Sequence, residues 1–379
     1  FPPRPEGPLE MNPSCALGSR HSIAARSGPM FEHVGNLHIH SRHSDGTAEV
    51  PEIARDAARA GCDFILMNDH AHMAGGLHLD EAGYYGRVLV LIGQEIGHRF
   101  HHYLAYNLNE WIPGHADGPQ TTIDRVKAQG GIGFLAHPFE KGMPFRDGGI
   151  AYTWNDLTVK DFTGICIWNF SSRWKERVKD IPTALYCLLF KALSLKGPSE
   201  ETLAYYDRCC LERRVTAIGG SDAHGSFFRL GLLRFRPFSY CRLLRSIDVH
   251  LLLDAPLSQN IDTAALQIYG ALRNGSLYVA HDGLKTAKGF RFAFVPDEGD
   301  PLPMGAEAPF RPGNLQINLP RPSLVRIIRN GRLLQERTLL DAHLPIPGPG
   351  VYRIEACLRR PFFGLRSEEH TSELQSRQS

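Results

Sequence analysis

The sequence predicts an α/β chain: a closed barrel of strands covered by helices, followed by a small all-β appendage. Three observations carry this. From Phe31 onward, short apolar runs alternate with amphipathic helical stretches, the pattern of repeated strand–helix units. The alternation lasts roughly 250 residues, a usual size for such a barrel. Beyond about residue 288 the helical stretches stop, and only short runs of period-two alternation remain.

The elements follow in order. Strands are expected over 36–40, 64–68, 88–93, 102–108, 132–136, 164–169 and 215–219, each a run of apolar or β-branched residues. The first helix has a cap in Thr47, a Pro51 suited to an early helical position and a terminating Gly61, with Ile53, Ala54, Ala57 and Ala58 as its apolar stripe. Further helices are expected over 122–129, 182–195, 199–213 and 262–274, the second of them buried, and the last closes the barrel together with the strand after it. In the appendage, strands are expected over 291–295, 315–319, 325–329, 333–337 and 351–356. Asn330-Gly331 is a type I′ hairpin turn between two of them. The expected boundaries are 31–287 for the barrel and 288–365 for the β-sandwich-like appendage. Residues 1–30, with several Pro and Gly and no periodicity, read as disordered or non-native. The stretch Arg366 to Ser376 reads RSEEHTSELQS and resembles the translation of a sequencing adapter, so 366–379 are set aside as an artefact.

Bulk composition excludes several classes. The chain has 379 residues, 42% hydrophobic and 22% charged, an ordinary globular balance. With 42 basic against 40 acidic residues the net charge is +2, which gives no support to a nucleic-acid or membrane partner. No run reaches the ~18 apolar residues of a membrane span. Eight cysteines without a CxxC pair read as free thiols in a reducing compartment, so a cytoplasmic location is expected. There is no GxxxxGK[ST] loop, GxGxxG fingerprint or GxSxG elbow, so neither a nucleotide cofactor nor a serine nucleophile is implied.

The chemistry lies at the ends of the apolar runs. His38 and His40 are two apart on the first strand, which turns both imidazoles to one face. Asp45 follows in Ser44-Asp45-Gly46. The next runs end in Asn68-Asp69-His70 and Gly93-Gln94-Glu95. Another opens with His101-His102, and the last two end in Ala136-His137-Pro138 and Ser221-Asp222-Ala223-His224. Strand ends at one rim of a barrel are where active sites gather. Burying so many ionisable groups together is costly unless cations compensate them. Carboxylate and imidazole donors without thiolate suit Mn, Zn or Fe.

These motifs, in this order, resemble the polymerase and histidinol phosphatase (PHP) family over roughly residues 31–285. One difference is Asn-Asp-His where many members have Thr-Asp-His. The resemblance implies a distorted (β/α)7 barrel and a metal-dependent phosphoesterase holding three divalent ions. It assigns His38, His40, Glu95 and Asp222 to the first ion and to the catalytic core. Bridging Glu95 with His102 and His137 would hold the second, and Asp45, His70 and His224 the third. His102 is preferred to His101 for its distance from Glu95. The implied substrate is a small phosphorylated molecule or nucleotide, cleaved by metal-activated hydroxide. The alternatives are an exonuclease-type phosphodiesterase acting on DNA or RNA ends, a carbamate or carboxyl ester metallohydrolase, and a degenerate binding module. The full ligand set argues against the last.

Other residues carry less specific signals. Asp69 is a candidate to orient ligands. Arg229 and Arg173 are candidates for a substrate phosphate, since guanidinium pairs with oxyanions bidentately. Lys141 also follows a strand end. His43, His72 and His281 are further candidates to line the pocket. The charged run 173–179 reads as a solvated helical face.

Overall fold

The computed structural model describes residues 30–114, 118–145, 151–190, 194–230, 233–362 and 365–378, with side chains described through 358 except at 228–230 and 233–234. Its first part is a mixed α/β arrangement around a nearly closed, barrel-shaped sheet. The strands are β1 (Phe31–Ile39), β2 (Phe64–His70), β3 (Gly83–Tyr85), β4 (Val88–Ile96), β5 (Tyr103–Tyr106), β6 (Ile132–Leu135), β7 (Gly164–Asn169) and β8 (Thr216–Gly220). β4 is apolar nearly throughout, and every residue of it is buried, because both of its faces are covered.

β1, β2 and β4 pair in parallel, and so do β6, β7 and β8. β5 joins the two sets and runs antiparallel to both neighbours, where the strand–helix pattern implied a parallel strand. Residues 97–102 are too few for a parallel crossover, which needs about a dozen residues. Because β5 is reversed, its first residues meet the same rim as the last residues of the other strands. The ring closes from β8 to β1, and not through the helix over 262–274 and the strand after it as expected: Ser221 N lies 3.1 Å from Leu37 O, Ala223 N 3.1 Å from His38 O and His40 N 2.9 Å from Ala223 O. Gly220 makes the closure possible, since a Cβ there would lie 2.5 Å from Leu37 O.

The helix Val50–Ala60 buries Val50, Ile53, Ala54 and Ala57 and ends at Gly61 with φ 102°. Its N-cap is Glu49, not Thr47. The Thr47 hydroxyl is engaged elsewhere, donating to Gly225 O at 2.7 Å. The helices Glu200–Glu212 and Ile261–Asn274 start where their capping side chains place them: Ser199 Oγ accepts from Thr202 N at 3.1 Å, and Asn260 Oδ1 from Thr263 N at 2.9 Å. The apolar helix Ile181–Leu189 differs from expectation. It buries Cys187, while Ile181, Leu185 and Leu189 are exposed.

Two short strands, β9 (Phe228–Leu230) and β10 (Leu233–Phe235), form a separate antiparallel pair. β11 (Asp248–Leu253) pairs antiparallel with the first half of β1, and β12 (Leu277–Ala280) pairs with β11. The remaining strands are β13 (Arg291–Pro296), β14 (Leu302–Pro303), β15 (Glu307–Ala308), β16 (Gly313–Arg329), β17 (Arg332–Pro345), β18 (Gly350–Phe362) and β19 (Leu365–Gln378). β16 pairs with β13, β17 and β18. It runs through both expected segments as one strand, with its register against β17 shifted between Asn318 and Ser323. Asn330 and Gly331 have φ of 53° and 74°, the two positive angles that a type I′ turn requires. Phe290, Phe292, Phe294, Ile317, Ile327 and Tyr352 form a core of their own, which Leu252 and Tyr278 join from β11 and β12. β19, within the segment set aside on sequence, lies antiparallel along β18. Pairing of that kind rests on backbone groups at an open sheet edge and needs no particular side chains. Among the described residues no helix is long and apolar enough to cross a membrane.

Candidate metal centre

His38, near the end of β1, and His40, just beyond it, reach one target, but not by plain alternation. The pairing of β1 with β2 shifts register between Leu37 and Ile39, and His38 has φ 64°. Such a bulge re-aims a side chain at the cost of a ladder hydrogen bond. The amide of His38 donates instead to Asn68 Oδ1 at 3.2 Å, and Tyr106 Oη donates to the same oxygen at 2.7 Å. Both rings are fully buried, with centroids 5.1 Å apart.

Glu95, near the end of β4, is the hub. Its Oε2 lies 3.1 Å from His38 Nε2, 3.3 Å from His40 Nε2 and 3.1 Å from His70 Nδ1. Its Oε1 lies 2.7 Å from His102 Nδ1 and 3.5 Å from His137 Nε2. Asp222 Oδ1 is 3.5 Å from His38 Nε2, 3.4 Å from His40 Nε2 and 3.5 Å from His224 Nδ1. Asp45 stands at the outer side, 3.2 Å from His224 Nε2 and 3.7 Å from His70 Nε2. All nine candidate ligands therefore meet at one rim of the barrel. They form overlapping groups whose donor atoms lie within 4.8 Å of one another: His40, Asp45, His70 and His224; His38, His40 and Asp222; His38, Glu95 and His137; His70, Glu95 and His102.

The surroundings hold these side chains in place. Asp69 accepts from Ser41 N at 2.7 Å, Ser41 Oγ at 2.7 Å and Ser44 Oγ at 2.6 Å, and so fixes the loop that carries Asp45. The Tyr240 hydroxyl lies 2.7 Å from His40 O and 3.0 Å from His224 O. His38, His137 and Asp222 all have positive φ, a strained backbone for residues with a Cβ that persists where the surroundings over-determine it.

Electrostatics set the protonation states. Burial pushes the imidazoles of His38 below the ordinary range and of His70 down to about 3. Burial acts the same way on His40, but the nearby Asp222 and Glu95 carboxylates outweigh it and raise it. His137 goes up to about 9, since Glu95 and Glu140 outweigh its burial. Burial alone would raise Glu95 and Asp222, yet the imidazoles around them, His38 first, hold both carboxyls well below their usual range. The site thus offers ionised carboxylates beside neutral imidazoles at His38 and His70, the donor forms that a divalent cation uses, while His40 and His137 would release their protons on binding one. Several of these atoms are buried without a hydrogen-bond partner: His38 Nε2, both ring nitrogens of His40, His70 Nδ1 and Glu95 Oε2. Buried polar atoms are normally satisfied, so this cluster of orphans fits bound cations.

Of the neighbouring histidines, His102 and not His101 faces Glu95. His101 packs against Trp154 with ring centroids 5.2 Å apart. The centre opens into a cavity of about 700 Å³, lined also by His72, Tyr152, Trp174 and Lys175. His43 turns aside to Glu81 at 2.8 Å, His281 binds Ser246 O at 2.8 Å, and Lys141 pairs with Glu201 at the surface. Arg173 is not in the cavity wall. Its guanidinium is taken by Glu176 and by Gly197 O. On the short helix Phe170–Lys175 the residues Phe170, Ser171, Trp174 and Lys175 line the cavity, and Arg173 lies on the other face. Arg229 lies on β9, and its side chain is outside the described residues. Glu140 and Lys175 were not singled out from sequence. The nearest signal was their place just after a strand, three residues from His137 and six from Asn169.

No family model matches the chain. A curated relative, the uncharacterized protein MJ1587 of Methanocaldococcus jannaschii, is 30% identical over 115 residues, which cover 27% of this chain and 67% of that protein. The chain belongs to that protein's family. Among solved structures, a two-domain protein from Bacteroides vulgatus described as containing a predicted PHP-like metal-dependent phosphoesterase shares 14% identity. The match covers 93% of this chain and all of that one, with a TM-score of 0.43. A protein of Bifidobacterium adolescentis assigned as a metal-dependent phosphoesterase shares 15% identity over 55% of this chain and 92% of its own, with a TM-score of 0.29.

Proposed function

We propose that this chain is a metal-dependent phosphoester hydrolase of the PHP type, its rim residues held on a distorted (β/α)7 barrel spanning 31–287, with 288–365 as an appended β unit. The observation that carries the reading is the cluster of orphaned, buried ligand atoms on His38, His40, His70 and Glu95, surrounded by Asp45, His102, His137, Asp222 and His224. His38, His40, Glu95 and Asp222 would hold one divalent ion; Glu95, His102 and His137 a second; Asp45, His70 and His224 a third. Such ions supply Lewis acidity, lowering the pKa of water and offsetting charge on a phosphoryl oxygen. The chain's own part is to hold ionised Glu95 and Asp222 at fixed positions, to keep His38 and His70 neutral, and to shield the reacting centre at the base of a cavity. Mn, Zn and Fe all suit this donor set. A cavity of about 700 Å³ suits a small phosphomonoester or nucleotide better than a duplex.

The test is hydrolysis by protein reconstituted with Mn or Zn across phosphomonoesters, oligonucleotides and carboxyl or carbamate esters, beside a His38→Ala control. Phosphate release from monoesters should fall in the variant by more than the roughly 10–100-fold seen when a residue behind a metal ligand is removed. Activity on carbon esters alone would refute the phosphoester reading, and near-normal turnover by folded His38→Ala would refute the site.

A further inference from the structure

The wall of the cavity that holds the candidate ligands also carries a cation built into the protein. Lys175 closes the helix Phe170–Lys175, and its Nζ lies 3.4 Å from Glu140 Oε1 and 5.9 Å from the centre of the Tyr152 ring. Glu140 is a buried carboxylate, 1% exposed, held by the Ser172 hydroxyl at 2.6 Å and lying 3.4 Å from His137 Nδ1. Lys175 itself is 31% exposed and lines the cavity. An ammonium has three donors, and Glu140 takes one, which leaves donors for a ligand in the cavity. Glu140 touches both Lys175 and His137, and Lys175 lines the same cavity as Glu95, His137 and Asp222, which sets the cation beside the candidate centre.

Resting on the hydrolase reading above, we infer that Lys175, held by Glu140, binds a non-bridging oxygen of the substrate phosphate and makes the site selective for phosphomonoesters over diesters. A monoester dianion carries one more charge than a diester on oxygens that a fixed ammonium reaches, so the cation favours it selectively. A diester would put an esterified oxygen where Lys175 offers donors, leaving them unpaired. Arg173 cannot take this role, being bound to Glu176 and Gly197 on the opposite face of the helix.

The test uses the metal-loaded protein and its variants Lys175→Gln and Lys175→Arg. Gln can still hydrogen-bond Glu140, which protects the fold. Inorganic phosphate is titrated calorimetrically, with metal content measured in each sample. Alongside, kcat and KM are determined for p-nitrophenyl phosphate and bis(p-nitrophenyl) phosphate. The expectation is that Lys175→Gln weakens phosphate binding by about tenfold or more at unchanged metal content. The same variant should lose at least about ten times more kcat/KM on the monoester than on the diester, and Lys175→Arg should recover most of both. Phosphate affinity within twofold of the unchanged protein, no phosphate binding by the unchanged protein, or equal losses on the two esters would overturn the inference. A protein that binds phosphate through Lys175 but hydrolyses nothing would overturn the hydrolase reading alone. Hydrolysis indifferent to Lys175 would overturn this inference alone.

Discussion

At the scale of single residues, two kinds of side chain make the site, and only one kind is marked in the sequence. All the ligand candidates but Asp45 stand out because they lie where an apolar run ends or opens, where a His, Asp or Glu has no packing reason to be. The residues behind them are chemically ordinary. Asn68 is a strand residue whose side chain accepts from the displaced amide of His38 and from Tyr106, while its own amide donates to Gln94 O at 3.1 Å. Asn68→Ala should therefore weaken metal binding roughly 10–100-fold while the protein remains folded. A chelator competition with the reconstituted variant measures this, and unchanged affinity would mean that the bulge at His38 does not depend on Asn68. Neither Asn68 nor Lys175 could be assigned from spacing. The bulge and the turn of a short helix decide what each side chain faces, and both are tertiary features. Arg173 shows the same limit from the other side: it has the right chemistry, but two positions along a helix is the wrong face.

At the scale of elements, strand positions were legible wherever burial on both faces writes a continuous apolar run, as in β2, β4 and β7. The direction of β5 was not legible, because nothing in its composition distinguishes an antiparallel strand. Only the shortness of 97–102 does. β11 was missed because its run carries Asp248 and His250, both buried, which break the apolar signature. The closure of the ring rests on a residue without a side chain. A methyl group on Gly220 would press on Leu37 O at 2.5 Å, and backbone at that point cannot yield without moving His38. Gly220→Ala should cost about 1–3 kcal/mol, the usual range for overpacking. It should also reduce metal content, whereas a surface substitution of equal cost would not. Thermal melting together with metal analysis separates the two. Full metal occupancy in a destabilised Gly220→Ala protein would show that closure and ligand placement are independent.

At the scale of the whole molecule, the change of character near residue 288 was visible in the sequence, but the buried ionic network that spans it was not. Its members are far apart along the chain. Glu32 on β1 accepts from Tyr278 on β12 at 2.6 Å, from Gly289 N at 2.9 Å and from Arg291 on β13 at 2.7 Å. His250 on β11 lies 2.8 Å from Glu32 and 3.3 Å from Asp282. Burial opposes the charged form of each, but the pairing wins: His250 rises to about 9, and Glu32 falls to about 2. The two halves of the pair act at opposite ends of the pH scale. His250 stabilises fully below its unfolded value near 6.5, and that contribution is lost as pH rises through about 9. Glu32 stabilises fully above its unfolded value near 4.5, and that contribution is lost as pH falls through about 2. Both are complete between those unfolded values. The stability difference between the unchanged protein and His250→Gln should therefore be greatest near pH 5–6, on the order of 2–3 kcal/mol, and should shrink toward pH 9–10. Urea unfolding of both proteins under chelator, which silences the metal centre, measures that difference at each pH. A difference that stays constant from pH 5 to 10 would mean that His250 titrates alike in the folded and unfolded protein and that packing, not charge, joins β1, β11 and β13. A difference that vanishes on the alkaline side would mark the pair as an electrostatic clasp between the barrel and the strands that follow it.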